Sequence, residues 1–138
     1  MVAQMRLRPG HTGDDSVVYF PAQKIVAAGD QVEETPGIDY GFGGTLFGWL
    51  DSLDDIAALD FDFVIPGHGA APMTKAQFLA YRASAHAFAD RARAAVKAGV
   101  PRDKLLAAIK SDDLGWPITT PAWTAPARLD GLYAELSK

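Results

Sequence analysis

Three side chains suited to holding a metal ion stand beside glycine at points where the chain turns. His11 lies in Pro9-Gly10-His11-Thr12-Gly13-Asp14-Asp15, Asp30 in Ala28-Gly29-Asp30, and His68 in Ile65-Pro66-Gly67-His68-Gly69. A neighbouring glycine lets the backbone approach closely and lets a side chain project from a sharp turn. Two imidazoles and a carboxylate suit zinc, or another first-row metal such as iron or manganese. Three protein ligands leave coordination positions for water, whose pKa a bound metal lowers to roughly 7. Plainer roles suit the same motifs: a turn or surface histidine at 11 and 68, a turn or capping aspartate at 30. Cysteine is absent, which excludes disulfides and thiolate ligation. The remaining histidine, His86, falls in a helical stretch and reads as a solvated helix residue.

The elements that must position these residues follow from hydrophobic period. Residues 2–7 and 16–20 read as strands, and residues 24–28 follow a Pro21 turn as the second arm of a hairpin. Gly29-Asp30 closes that strand, and a Gly- and Pro-rich loop runs over residues 31–44. Leu46, Trp49, Leu50, Leu53, Ile56 and Ala57 recur at three- and four-residue spacing, which predicts a helix. Residues 63–65 form a short buried strand stopped by Pro66-Gly67. Each candidate ligand thus stands at a strand end, and three strand ends converge if their strands are neighbours.

Thr74-Lys75-Ala76-Gln77 is a capping-box pattern opening a long amphipathic helix through Phe78, Tyr81, Ala85, Phe88 and Ala92. Gly99 and Pro101 mark its end and the start of another, with Leu105, Leu106 and Ile109 on its apolar side. Residues 116–126 read as irregular and residues 129–136 as a short closing helix. The chain therefore divides at residue 72 into an α/β unit, 1–72, and a helical tail, 73–138, packing on the same domain.

The 138 residues suffice for one domain with a real core. No apolar run approaches the roughly 18 residues needed to span a bilayer, and no secretory signal is visible in the first residues. A cytoplasmic location and no membrane partner are the corresponding expectations. Net charge is −4 with both signs interspersed, so there is no basic stripe to serve as a nucleic-acid footprint.

The run Gly10 to Pro21 resembles the third metal-binding motif of the metallo-β-lactamase superfamily and the hairpin after it. Ile25-Val26-Ala27-Ala28-Gly29-Asp30 resembles the strand ending in that superfamily's metal-bridging aspartate. Trp49 to Leu53, followed by Asp60 to Gly69, resembles its helix and terminal Pro-Gly-His-Gly motif. The order and separations match, 19 residues from His11 to Asp30 and 38 from Asp30 to His68.

The resemblance implies the C-terminal half of an αββα sandwich: a small mixed sheet, helices on one face, and a helical tail. It implies that His11 ligates a first metal, His68 a second, and that Asp30 bridges them, with one or two zinc ions expected and iron or manganese as substitutes. A metal-bound hydroxide would then attack an ester, lactone, thioester or phosphoester, with no side chain as nucleophile. Tyr40 and Phe42 are candidate contacts for a small-molecule substrate, because the loop from Ile38 to Gly44 borders the metal mouth in the complete fold. Asp14, Asp15 and Asp39 are candidate supporting carboxylates, with turn or cap roles as the alternative. The superfamily's His-x-His-x-Asp-His motif does not occur in these residues, and Asp14 replaces its usual glycine. A half fold would expose an apolar sheet face, so a homodimer or a complementary N-terminal half is expected to complete the site. The alternative is a non-catalytic half-domain acting as a binding or assembly module.

Overall fold

The computed structural model describes residues 3–69 and 71–138. Short runs rich in apolar and β-branched residues build strands β1 (Gln4–Arg8), β2 (Asp15–Phe20), β3 (Ile25–Glu33) and β4 (Phe63–His68), with a short edge strand β5 (Met73–Thr74). The start expected for the first strand, Val2, lies outside the described residues. The strands pair in chain order, all antiparallel except β3 with β4. That parallel pair is joined by helix α1 (Leu46–Ala57), since parallel neighbours need a crossover rather than a tight turn.

Two strands run further than their turn residues predict. Gly29 does not end β3: it adopts φ +54°, and the β3–β4 register shifts on either side of it. A glycine in the left-handed region bends the strand as a bulge instead of terminating it. β4 passes through Pro66-Gly67 in the same way, because proline's missing N–H falls where the register has already slipped. β5 was not foreseen. Thr74 pairs with Phe63 while also capping the next helix.

The sheet has one covered face. Val17, Tyr19, Val26, Ala28 and Val64 point into a core shared with α1 and the long helix α2 (Lys75–Lys97). The expected capping box is formed: the Gln77 N–H donates to Thr74 Oγ1 at 3.3 Å, and the Thr74 N–H to Gln77 Oε1 at 2.9 Å. On the opposite face Phe20, Ile25 and Phe63 form one cross-strand row and Val18, Ala27 and Ile65 the next. The strand at 63–65, expected to be buried, is buried only at Val64: Phe63 and Ile65 are exposed on this uncovered face, and the other four residues are only partly covered. This is half of an αββα sandwich with a helical tail.

The tail continues through α3 (Leu105–Ala108), α4 (Pro121–Thr124) and α5 (Pro126–Leu136). It joins the same core through an aromatic cluster. Trp116 stacks on Trp123 at 5.9 Å, Phe88 meets Trp123 at 4.5 Å, and both indoles border Trp49. The stretch expected to be irregular therefore contains a turn of helix that places Trp123, and α5 begins earlier than expected, with Pro126 in its first turn. No helix among the described residues is long and apolar enough to cross a membrane.

Candidate metal centre

The bulged parallel pair sets the site. Past Gly29 the shifted register brings Glu33 opposite His68, and Asp30 lies beside them. His68 Nε2 is 3.2 Å from Asp30 Oδ1 and 4.0 Å from Glu33 Oε1. Asp30, Glu33 and His68 each offer one ligand atom, and these atoms lie within 4.8 Å of one another. Close backbone approach makes this possible. A Cβ on Gly67 would lie 2.5 Å from both the Gly29 carbonyl carbon and Asp30 Oδ1.

His11 lies just outside that trio and is linked to it by Glu33, whose Oε2 is 3.7 Å from His11 Nδ1. The Gly37 carbonyl is 2.7 Å from the same nitrogen. A carbonyl only accepts, so Nδ1 carries the proton and donates, leaving the Nε2 lone pair to face a ligand. Metal-ligating histidines commonly orient themselves by this kind of second hydrogen bond. The loop carrying His11 is tied down by Asp15, which accepts from the Thr12 N–H at 2.9 Å, from Thr12 Oγ1 at 2.6 Å and from Gln31 Nε2 at 2.9 Å. Asp15 therefore holds a turn, and Asp14 stays exposed.

Glu33 was not singled out from sequence. Ending the third strand at Gly29 hid it; read as a bulge, that glycine would have let Gln31-Val32-Glu33 continue the strand. Its side chain is only 13 % exposed, against 42 % for Asp30 and 72 % for His68. Burial pushes its carboxyl above the usual range, and the Asp30 charge adds to this, while His11, His68 and Arg128 pull the other way. A buried carboxylate beside a second carboxylate calls for a counter-charge. Tyr81 fixes its backbone, the Glu33 N–H donating to the Tyr81 hydroxyl oxygen at 3.3 Å.

A cavity of about 470 Å³ opens over His11, Asp30, Glu33 and His68, with Ala122 and Arg128 from the tail also lining it. Tyr40 and Phe42 do not line it. Tyr40 borders a separate pocket beside Gly131 and donates to Glu135 Oε2 at 2.7 Å, while Phe42 is 76 % exposed. Asp39 accepts from the Gly41 N–H and from Arg128. His86 is not simply solvated: its Nε2 lies 2.8 Å from Asp54 Oδ1, which Arg82 also holds.

The donor set fits a divalent metal. One imidazole and two carboxylates converge where the bulged second half of β3 meets the end of β4, with a second imidazole adjacent and already oriented. Residues 5–68 match a family model described as the metallo-beta-lactamase superfamily. No curated protein matches the chain.

Proposed function

We propose, from the match of residues 5–68 to the metallo-β-lactamase superfamily, that this chain is the metal-binding half of a metal-dependent hydrolase. Asp30, Glu33 and His68 would hold the ion, with His11 as a further ligand through Nε2; the sequence-based set of His11, Asp30 and His68 thereby gains Glu33. Zinc is the ion the donors suit best, with iron or manganese as substitutes. When bound, such an ion supplies water activation at neutral pH and charge stabilisation at the acyl or phosphoryl oxygen. The side chains contribute the rest. Gly37 fixes the His11 tautomer, Glu33 stands between the two imidazoles, and the cavity receives an ester, lactone, thioester or phosphoester.

The observation that carries this reading is the convergence of Asp30, Glu33 and His68 within 4.8 Å beneath an open cavity. Elemental analysis after incubation with zinc tests it. About one ion or more per chain, lost in Asp30→Ala and His68→Ala and reduced in His11→Ala, supports the site, and activity toward the four ester classes then assigns a substrate. No zinc uptake by the unmutated protein would sink the hydrolase reading.

We further propose that the open sheet face is covered by a second copy of this chain or by a complementary N-terminal half, which would complete the site. That face also favours the second reading, a non-catalytic half-domain that docks on a partner. Self-association without metal uptake would select it.

A further inference from the structure

One wall of the cavity comes from the tail, outside the residues matched to the superfamily, and it carries a cation. Arg128, on α5, lines the cavity together with Asp30, Glu33 and His68. Its Nη2 donates to Asp39 Oδ2 at 2.9 Å. A Cβ on Gly37 would lie 3.0 Å from Nη1, so the guanidinium packs closely over Gly37, whose carbonyl accepts from His11. The Arg128 group and His11 thus share one backbone support.

Guanidinium has five N–H donors, and among the described residues Asp39 is the only hydrogen-bond partner of this one. The side chain keeps 27 % exposure, so its remaining donors are reachable. Asp39 fixes the planar fork in place, which reduces the ordering cost of engaging a ligand. Charge points the same way. A divalent ion would balance Asp30 and Glu33, leaving the Arg128 guanidinium, backed by Asp39 from outside the lining, as the cationic side chain on the cavity wall.

We propose that Arg128 is the anchor for an oxyanion group of the substrate, a carboxylate or phosphate remote from the bond cleaved, so that the cavity selects anionic substrates. The inference rests on the metal-centre reading for its charge balance. A guanidinium matches both groups with two parallel N–H donors.

Titration calorimetry of inorganic phosphate and of succinate, into zinc-treated and metal-free protein, tests the proposal alongside zinc content and melting temperature. Arg128→Gln is expected to lose about tenfold to a hundredfold in anion affinity with zinc content unchanged. Arg128→Lys keeps the charge without the fork and should recover part of the loss. Asp39→Asn breaks the same ion pair but releases the guanidinium, so it should bind the anion at least as tightly as the unmutated protein. The tighter probe assigns the group. Unchanged anion affinity in a folded Arg128→Gln overturns the inference, as does lost affinity in Asp39→Asn, which would mark the pair as structural. Absence of anion binding by both forms of the unmutated protein overturns it too. Failure of zinc uptake alone overturns the metal reading, and the metal-free titrations then still decide on Arg128.

Discussion

Glu33 stands between two imidazoles, 3.7 Å from His11 and 4.0 Å from His68, in a place where burial opposes its charge. Metal-free protein therefore gains little from keeping it ionised. Glu33→Gln is expected to melt no lower than the unmutated protein without metal, yet to weaken zinc binding about tenfold to a hundredfold; a competing chromophoric chelator measures the second effect. Gly67 makes the opposite case. A methyl there meets Gly29 backbone and the Asp30 carboxylate, so Gly67→Ala should cost roughly 1–3 kcal/mol in urea unfolding and reduce zinc uptake. Gly99→Ala meets nothing within 4 Å and bears only its φ of +81°, about 1 kcal/mol. His11, Asp30 and His68 were legible because each sits beside a glycine, although the structure puts Asp30 at a bulge inside β3 rather than at its end. Glu33 was not, because a left-handed glycine inside a strand looks the same in sequence as one that ends it.

The tail is fastened to the α/β unit by contacts that no local pattern announces. Glu135 on α5 accepts from the Leu46 N–H at 2.8 Å and the Phe47 N–H at 3.2 Å, and from the Tyr40 hydroxyl at 2.7 Å. It thereby satisfies the first turn of α1 from 89 residues away, where a carboxylate also meets the positive end of the helix dipole. Glu135→Ala should lower stability by about 1–3 kcal/mol in urea unfolding, and Tyr40→Phe by about 1 kcal/mol. Within the tail itself, Arg91 on α2 forks onto Asp113, with paired contacts of 2.7 and 2.8 Å. The Arg91 hydrogen bond holds the Asp113 carboxyl well below its ordinary value of 3.8, at about 2. A depressed native pKa means the unfolded chain binds the proton first. The tie is fully present above the ordinary value and fades as pH falls toward about 2. Melting curves across that window should fall more steeply for the unmutated protein than for Asp113→Asn. Helix α2 was plain from its capping box and apolar stripe. α4 and the early start of α5 were not, because Trp123 is placed by its stack on Trp116 rather than by a helical period.

The sheet carries two different surfaces, one packed into the core and one open. Phe20, Ile25 and Phe63 lie side by side across three strands, with Val18, Ala27 and Ile65 in the next row. Val17, Tyr19, Val26, Ala28 and Val64 go inward in strict turn, but the unbroken apolar run Phe63-Val64-Ile65 reads in sequence as buried on both faces, since nothing local says that one face is left open. Phe63 is 47 % and Ile65 43 % exposed on that outer face. Fully burying such a side chain is worth about 1.5–3 kcal/mol, so pairing two such faces gives a substantial drive to associate. Sedimentation equilibrium at micromolar concentration should find the isolated chain as a dimer or larger species. Phe63→Lys with Ile65→Lys should shift it toward monomer by at least about tenfold in dissociation constant. Neither change touches Val64 or the inner core, so the melting temperature of the monomer should hold. Zinc content read on the same samples separates two designs. If the partner copy supplies ligands, metal affinity falls with association; if the ligands of one chain suffice, zinc stays while the dimer dissolves. A stable monomer of the unmutated protein would mean that this apolar face is tolerated uncovered, and the expectation of a second layer would fail with it.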